Sequence, residues 1–557
     1  MKKGKKIMAL FLAAVLAAGT LSGCGGSAAG GSSGGTSKAV ASTEPTTLRV
    51  MGIDTASTVE GQEIYLSDWV NGDSELWKRL TDDLAKKRIK LNVTLVKSDQ
   101  YDTVLQTQVA AGLNYDMVNF SDMDKKTLLT MAEQGKFLVI NDLWENHSDG
   151  TAKKFFTEGN GEIIDKYNTL KDGKLYWING FTLGKYKDIE TGSPVSFMIR
   201  KDWLDQLDLP VPKTTDELYD TLVAFQQKDV NGSGKKDEIL SFDINNLFNT
   251  GISQWFGLGN GILYQKKASE KVQCFWYQDN AKPYIQYMNK LYKAGLLDTS
   301  GQGSQKSAEN KVSGLCDWSL ETWYAQTAKV PTGAPMAYYL PITATAIKGQ
   351  DPCVLLQNGR QDYGVPYAFT KQCNPDAAGR LLDYLVSEDY TDLSENGIEG
   401  VNYKKNSDGS IIKIQGDTPE RKLKYAVPAL WCNSGIFPRY EYRDRALELE
   451  QTTDAGKSLG YPETGYQGKS DFAAKAYQSK NIIQMSISGA YPTTEQVDKI
   501  SEIDRDLNTY SSELLTKLIL GQKSLDNWDT YIKDLKRLGL DERISIEQDL
   551  VDRYNKQ

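Results

Sequence analysis

The order of apolar patterns at the start of the folded region is the strongest constraint on the fold. Residues 47–52 form a short β-rich run, residues 76–87 have the spacing of an amphipathic helix, and residues 89–96 alternate as a strand does. A second helix pattern over residues 101–111 precedes another strand-like run at residues 116–120. Strand, helix and strand at these spacings are typical of βαβ units. The sequence therefore predicts an α/β fold with a parallel sheet.

The N-terminus has the pattern of an export signal. Four lysines precede an apolar run over residues 7–18, which is too short for a permanent membrane span. The small residues Ser22 and Gly23 then precede Cys24, and this pattern resembles a bacterial lipobox, in which the cysteine is lipidated and becomes the first residue. An ordinary signal peptide with a chance cysteine is the alternative. We predict a lipoprotein signal peptide over residues 1–23 and a lipid anchor on Cys24.

The segment after Cys24 connects this anchor to the folded part. Residues 24–45 are rich in glycine and serine, a composition that predicts a flexible tether. We therefore expect the protein at the extracytoplasmic face of the cell membrane. Without the four lysines of the leader, 61 basic residues stand against 73 acidic ones, a net charge of −12. This balance argues against nucleic acid or anionic lipid as a partner.

The chain lacks the sequence signals of common catalytic sites. Its single histidine, His147, lies in a polar stretch that predicts a surface loop, and one imidazole excludes a His-rich zinc site. There is no Gly-x-Ser-x-Gly elbow, no Walker loop and no HExxH motif. Asp317 and Glu321 could share a helix face, as the paired carboxylates of a glycoside hydrolase require, but with 73 acidic residues such a pair is expected by chance. We predict that the protein is not an enzyme and keep a secreted glycoside hydrolase as an alternative.

A series of short motifs carries a family resemblance. In order along the chain they are AAGLNYD at 110–116, GKFLVINDL at 135–143, DGKLY at 172–176, IRKDWL at 199–204, NGIEGVNY at 396–403, ILGQ at 519–522, WDTY at 528–531 and LGL at 538–540. Together they resemble the extracellular solute-binding proteins, family 1, of ABC transporters, in particular the carbohydrate-binding lipoprotein branch. The resemblance extends over residues 46–557.

The resemblance implies a two-lobed fold of the periplasmic-binding-protein type, with a hinge and a ligand cleft between the lobes. It places lobe one at residues 46–197 plus 350–415, and lobe two at residues 198–349 plus 416–557. It also implies a monomer that works with the permease subunits of a membrane transporter.

Residues 229–238 form a calcium-type loop. Side-chain oxygens fall at loop positions 1, 3, 5 and 9, and Gly234 stands at position 6, where the chain must turn sharply. Position 12 is Leu240, unlike the bidentate Glu of an EF-hand, whereas the adjacent acids that close the loop resemble the calcium loop of this solute-binding branch. A solvated Asn-Gly, Ser-Gly turn is the alternative. We predict structural calcium, held by side-chain oxygens of Asp229, Asn231, Ser233, Asp237 and Glu238 and the backbone carbonyl of Lys235.

Sugar recognition needs flat aromatic rings for the ring faces and planar polar groups for the hydroxyls. Five segments mix these residue types, and a turn adds a further carboxylate. The predicted solute-binding residues are Asp54, Trp177, Trp255, Asp317, Glu321, Trp323, Glu399, Trp431 and Arg439. Burial in a lobe core is the alternative for each of these tryptophans, and a helix-capping role is the alternative for Glu399. Helical patterns around Trp203 and Trp528 predict core positions for both.

The sequence thus predicts a lipid-anchored component of an ABC importer that captures a carbohydrate, specifically an oligosaccharide, and delivers it to a permease. Net acidity disfavours a highly anionic saccharide, although Arg439 or Arg200 could pair with one uronate. The same fold with a peptide or another polar metabolite in its cleft is the alternative, and the aromatic content favours sugar.

Overall fold

A computed structural model describes most of the chain after the tether. The described residues are 44–59, 62–121, 123–158, 162–184, 191–242, 247–248, 250–267, 270–300, 306, 309–317, 339–349, 352–358, 365–405, 411–413, 435–443, 471–472, 475–476, 479, 481–484, 487 and 489–557. Cys24, Glu321, Trp323 and Trp431 lie outside these ranges, as does the side chain of Asp317. No helix within the described ranges is long and apolar enough to cross a membrane.

The strands, β1 to β18 in chain order, are Thr46–Asp54, Ala56–Val59, Gln62–Tyr65, Ile89–Lys97, Met117–Asn119, Phe181–Gly184, Thr191–Arg200, Ile239–Ser241, Leu263–Tyr264, Gln273–Cys274, Val312–Asp317, Tyr339–Ile342, Val354–Asn358, Tyr367–Phe369, Tyr403–Lys405, Ile411–Lys413, Tyr440–Arg443 and Ile482–Gln484. The helices, α1 to α15, are Leu66–Asn71, Glu75–Lys86, Ser98–Ala110, Lys125–Glu133, Ile140–Asn146, Thr151–Glu158, Glu162–Asn168, Lys201–Gln206, Thr215–Gln227, Ala281–Lys293, Pro375–Leu385, Glu388–Asn396, Thr494–Ile519, Trp528–Arg537 and Leu540–Lys556. The strands and helices predicted between residues 47 and 120 are confirmed to within a few residues.

Helix α2 shows how local sequence sets these elements. The hydroxyl of Ser74 accepts a hydrogen bond from the backbone N–H of Trp77 and so caps the first turn. Leu76, Leu80 and Leu84 follow at intervals of four residues and are all fully buried. This spacing places them on one helix face, which packs against the first sheet.

The first sheet has the strand order β14-β5-β1-β4. Strand β1 is parallel to both β4 and β5, while β14 is antiparallel to β5. Alternate residues of β1 enter different cores, since Val50 packs on the side of α2 and α11 and Met51 packs on the side of α3 and α4. Burial on both faces is typical of parallel sheets. The predicted βαβ arrangement is confirmed, and the carboxyl ends of β1, β4 and β5 lie at one edge.

The second sheet has six strands, and β7 is its long central strand. The C-terminal half of β7 pairs with β11 and β12, and its N-terminal half pairs with β13. Strand β18 runs parallel to β13, and β8 runs parallel to β11. The core on this sheet includes Trp203 and Trp528, which are 2% and 9% exposed. Their predicted core positions are confirmed.

Two segments from the C-terminal part of the chain pack against the first sheet, and one of them continues into the core of the second sheet. Ile436 and Phe437, in the range predicted for lobe two, are buried in the core of the first sheet. Tyr491 and Val497, also in that range, pack against the opposite core of the first sheet, while α13 continues into the core of the second sheet through Leu514. The exact lobe boundaries stay a prediction.

Candidate functional site

The carboxyl edge of the first sheet carries the first predicted site residue, Asp54. The carboxylate of Asp54 accepts the backbone N–H of Ser67 at 2.8 Å through Oδ1, and the hydroxyl of Ser67 at 2.8 Å through Oδ2. Asp54 is 8% exposed. It therefore ties the end of β1 to the first turn of α1 and forms part of a rigid rim.

Residues 435–439 cross the same edge. The side-chain amide of Asn119, at the end of β5, donates to the carbonyl of Gly435 at 2.7 Å, and the backbone N–H of Ile53 reaches the same oxygen at 3.4 Å. The hydroxyl of Tyr390, in α12, donates to the carbonyl of Pro438 at 2.8 Å. Sequence reasoning missed Asn119. The available signal was a polar residue directly after the buried Met117-Val118 pair, at the carboxyl end of a parallel strand.

Arg439 ends this segment and has a carboxylate partner within the protein. Its guanidinium donates from Nε and Nη2 to the two carboxylate oxygens of Glu395 at 2.5 Å and 2.9 Å. The side chains of Arg439 and Glu395 are 20% and 14% exposed. The pair attaches Arg439 to α12, in the same half of the molecule as Asp54.

Arg200, the other arginine considered for a uronate, is fixed inside the second core. Its guanidinium donates to both carboxylate oxygens of Asp202, at 2.7 Å and 2.5 Å, and to the side-chain oxygen of Asn310 at 2.7 Å. It also lies 4.1 Å from the ring centroid of Trp203. Arg200 is 3% exposed and stabilises the start of α8.

Trp177 and Trp255 occupy core positions in this structure. Trp255 is 3% exposed and meets Phe197 edge to face, with ring centroids 5.5 Å apart. Trp177 is fully buried and meets Tyr491 edge to face at 5.0 Å. Protein atoms cover both indole rings, as the core alternative expects. A stacking role for either ring stays a prediction.

The other predicted solute residues are less constrained. Glu399 lies exposed in the turn between α12 and β15 and forms an isolated bridge with Tyr403. The backbone of Asp317 ends β11, beside Ser196 of β7. Of the nine predicted solute residues, Asp54 and Arg439 are thus the two that the described structure attaches to one rim, the carboxyl edge of the first sheet with residues 435–439.

The calcium-type loop is folded around its own oxygen atoms. The hydroxyl of Ser233 lies 2.8 Å from Oδ1 of Asp237 and 3.3 Å from Oδ1 of Asp229. The side-chain amide of Asn231 donates to Oδ1 of Asp237 at 3.0 Å. Gly234 adopts a positive φ of 75°, as the sharp turn at position 6 requires. The side chains predicted as ligands therefore converge.

Glu238 gives the loop a buried acceptor. Its residue is fully buried, Oε1 accepts the backbone N–H of Asn231 at 3.3 Å, and Oε2 has no hydrogen-bond partner. Burial raises the pKa of Glu238, and the charges of Asp237 and Asp229 act in the same direction. A buried, incompletely satisfied carboxylate among other oxygen donors fits a hard cation. Within the described residues, no group of three or more His, Cys, Asp and Glu side chains is placed to hold a metal, so amide, hydroxyl and carbonyl oxygens would have to complete the shell.

Comparison with known families assigns the class of the protein. The family model of bacterial extracellular solute-binding proteins matches residues 69–392, more than half of the chain. The chain belongs to this family. The predicted family is therefore confirmed, and its members are binding proteins of transporters rather than enzymes.

Curated relatives of this solute-binding protein include sugar receptors. The fructooligosaccharide ABC transporter substrate-binding protein FusA of Streptococcus pneumoniae is 25% identical over 504 residues, covering 86% of this chain and 84% of FusA. The polygalacturonan/rhamnogalacturonan-binding protein YtcQ of Bacillus subtilis is 26% identical over 339 residues, 59% of this chain and 64% of YtcQ, which is less than two thirds of that protein. The lipoprotein LipO of Bacillus subtilis is 34% identical over 84 residues, 15% of each chain.

Solved structures share the fold over nearly the whole solute-binding protein. A human-milk-oligosaccharide (HMO) binding protein of Bifidobacterium longum infantis has a TM-score of 0.63 at 19% identity, covering 93% of this chain and 100% of that one. An EF-hand mutant of Streptococcus pneumoniae FusA with fructo-nystose gives 0.60 at 19%, covering 92% and 100%. The alginate-binding protein AlgQ2 without calcium ion gives 0.58 at 19%, covering 92% and 99%. The predicted fold class, α/β of the periplasmic-binding-protein type, is confirmed.

Proposed function

We propose that this protein is the lipid-anchored receptor of an ABC importer and that it captures a neutral oligosaccharide between its two lobes. The observation that carries the proposal is family membership over residues 69–392, joined to the relationship with FusA over 86% of the chain. The solute would lie at the carboxyl edge of the first sheet, where open α/β sheets bind their ligands. Asp54 and residues 435–439 would form one wall of that site.

The preference for a neutral solute rests on the pairing of two arginines. Arg439 is bidentate to Glu395, and Arg200 is buried against Asp202. A uronate would have to displace Glu395 from a partly buried ion pair, which leaves the displaced carboxylate poorly compensated. Hydroxyl groups of a neutral sugar face no such competition. Because the relative YtcQ is a polygalacturonan/rhamnogalacturonan-binding protein, polygalacturonan is the alternative solute that the test includes.

Closure would rest on β7 and β13, which pair with each other. Strand β7 spans the predicted lobe boundary at residues 197–198, and β13 begins a few residues after the one at residues 349–350. We place lobe one at residues 46–197 plus 350–415 and lobe two at residues 198–349 plus 416–557, with residues 435–439 docked on lobe one. Hinge motion about such strands would bring the second wall of the site onto the solute.

The anchor is assigned to Cys24. Acyl chains contribute about 0.8 kcal/mol for each buried methylene group, so a multiply acylated cysteine would hold the protein on the membrane without a spanning helix. The relationship with the lipoprotein LipO supports this anchor. A monomer held by residues 24–45 could then present its closed form to permease subunits.

Calcium is assigned a structural role in the loop of residues 229–238. Asp229, Asn231, Ser233, Asp237 and Glu238 would hold it with the carbonyl of Lys235. The ion would neutralise three carboxylates that otherwise repel one another in one turn of chain. The solved structures of AlgQ2 without calcium ion and of an EF-hand mutant of FusA support the assignment.

A thermal-shift screen tests the proposal. Residues 46–557 would be heated in calcium with nystose, maltotetraose, cellotetraose, tri-galacturonic acid and a tetrapeptide, and the sugars would be analysed for cleavage. A ligand that binds the folded state raises stability by about 2.7 kcal/mol at a hundredfold excess over Kd. A saturable shift with a neutral sugar and no products is expected. A shift with the peptide alone would favour the peptide alternative, and cleaved sugar would favour a hydrolase.

A further inference from the structure

The carbonyl oxygen of Gly435 joins three parts of the chain at the carboxyl edge of the first sheet. It accepts the side-chain amide of Asn119 at 2.7 Å and lies 3.4 Å from the backbone nitrogen of Ile53. Asn119 and Gly435 are 316 residues apart in sequence. The carbonyl oxygen of Gly435 therefore connects β5 and β1 to residues 435–439.

Residues 435–439 pack so closely against β1 that a side chain at position 52 would clash with them. Gly52 faces Gly435, and a Cβ atom at position 52 would lie 2.6 Å from the carbonyl oxygen of Gly435 and 2.6 Å from Cγ2 of Ile436. Ile436 and Phe437 are fully buried in the first core. The segment therefore docks by close contact with Gly52 and by burial of the side chains of Ile436 and Phe437.

The docked segment carries a predicted solute residue. Arg439 follows Gly435 by four residues and is fixed on Glu395. Asp54 stands two residues after Gly52 on the same strand end. A shift of Gly435 would therefore move one wall of the site relative to Asp54.

The chemistry at position 119 suits asparagine specifically. The amide nitrogen donates to Gly435, while Oδ1 accepts the backbone N–H of Ser121 at 2.8 Å. The hydroxyl of Tyr101 donates to the backbone carbonyl of Asn119 at 2.6 Å and fixes the strand end. Asn119 is 1% exposed, so a lost donor would not be replaced easily by water. An ionised aspartate at this position would place a charge against the carbonyl of Gly435.

We propose that Asn119 is a positioning residue of the solute site, and that solute affinity depends on its hydrogen bond to Gly435. This inference rests on the proposed function. If loss of the bond lowers the fraction of molecules with residues 435–439 in the docked position, the apparent Kd rises in inverse proportion to that fraction. A purely structural role would lower stability and leave the Kd of the folded protein unchanged.

The test uses Asn119→Asp, because its carboxyl can donate to Gly435 only while it is protonated. Position 119 is 1% exposed, and burial raises the pKa of a carboxyl well above its ordinary value of about 4, so the pH range from 5.5 to 8 should span its titration. The Kd for nystose would be measured by calorimetry at pH 5.5 and pH 8, well below each melting temperature. We expect the variant to bind about tenfold more weakly at pH 8 than at pH 5.5, whereas the wild type changes less than twofold.

Gly52→Ala, which displaces the segment without a new charge, should weaken binding at both pH values. Leu84→Ala, a core truncation in α2 away from this edge, is the matched control that lowers stability alone.

Equal affinity of Asn119→Asp and the wild type at pH 8 would overturn the inference, and so would an equal loss of affinity in Leu84→Ala. Hydrogen exchange of peptides covering residues 435–443 gives a readout without solute. We expect faster exchange in Asn119→Asp at pH 8, after correction for the intrinsic rate. Unchanged exchange would contradict a role for the Asn119 hydrogen bond in holding residues 435–439. If the wild type binds no neutral sugar, the proposed function fails, and the exchange experiment still decides whether Asn119 holds the segment.

Discussion

Arg439 and Glu395 form a bidentate ion pair at the rim of the first sheet, with nitrogen-to-oxygen distances of 2.5 Å and 2.9 Å. The pair joins residues 435–439 to α12 across 44 positions of sequence. A residue predicted as a ligand for acidic sugar is thereby satisfied by the protein itself.

Glu395→Gln should change solute preference. The substitution removes the carboxylate that holds the Arg439 guanidinium in a bidentate ion pair. Affinity for tri-galacturonic acid should therefore rise about tenfold, while affinity for a neutral sugar changes less than threefold. Two hydrogen bonds to charged groups are weakened, and the free energy of unfolding should fall by about 1–3 kcal/mol. Calorimetry and urea denaturation measure the two effects.

Glu502→Gln is the control for this charge change, because Glu502 is exposed on α13 and pairs with Lys499. It alters the net charge equally and should leave uronate affinity unchanged. Equal uronate binding by Glu395→Gln and the wild type would show that Arg439 does not face the solute.

Trp255 should act as a core residue. Because Trp255 is 3% exposed and packs on Phe197, Trp255→Phe should lower the free energy of unfolding by about 1–3 kcal/mol and change sugar affinity less than threefold. Trp431→Ala should weaken binding at least tenfold if Trp431 stacks on the sugar. A tenfold loss of affinity in Trp255→Phe, measured well below its melting temperature, would place Trp255 in the solute site.

Calcium should stabilise the protein through Glu238. Added calcium, compared with EDTA, should raise the melting temperature of the wild type, and Glu238→Gln should lose most of that rise because a buried anionic ligand is removed. Lys235→Ala is the matched control, since its proposed ligand is the backbone carbonyl and its side chain is exposed. A full calcium response in Glu238→Gln would contradict the proposed ligand set.

Asp124 provides a pH-dependent contribution at the start of α4. Hydrogen bonds from Thr127 lower the pKa of Asp124 below its ordinary value of 3.8, and one of them comes from the backbone N–H of Thr127 at 2.9 Å. A carboxyl whose pKa is lowered by folding stabilises the folded state above its unfolded pKa, and that stabilisation disappears as the pH falls through the folded pKa. Asp124→Ala should therefore cost about 1 kcal/mol at pH 7.

The same substitution should cost less near pH 3. Denaturation with urea at both pH values measures the difference. A cost that is equal at pH 7 and pH 3 would mean that the ionised carboxylate does not cap α4. Glu495→Ala, at an exposed position in the first turn of α13, shows how much of the change is general to the first turn of a helix.

Local patterns in the sequence were sufficient to predict the first sheet and the loop turn. Alternation in residues 89–96 reflects an edge strand, β4, in which Leu91 and Val93 pack on the first core while Lys90 and Asn92 are exposed. The position of Gly234 reflects a turn that needs a positive φ. His147 lies in a turn after α5, as expected. Its side chain, however, is only 26% exposed, with Nδ1 2.6 Å from Asp376.

Contacts between distant segments left no local signal. The amide of Asn119 meets a carbonyl 316 residues away, and no periodicity links β5 to Gly435. Burial of Trp177 was equally hidden, because an aromatic residue next to polar neighbours fits a cleft as well as a core. The pairing of Arg439 with Glu395 depends on the same docking of residues 435–439, so this second argument for a neutral solute, beside the one from net charge, needed the structure.

Binding of a neutral oligosaccharide is tested most directly by isothermal titration calorimetry. Calcium-loaded residues 46–557 would be titrated with neutral tetrasaccharides and, separately, with tri-galacturonic acid. We predict one saturable site for a neutral oligosaccharide, unchanged sugar after the titration, and at least tenfold weaker binding of the uronate. Tighter binding of tri-galacturonic acid than of every neutral sugar would contradict the proposed role as a receptor for a neutral oligosaccharide.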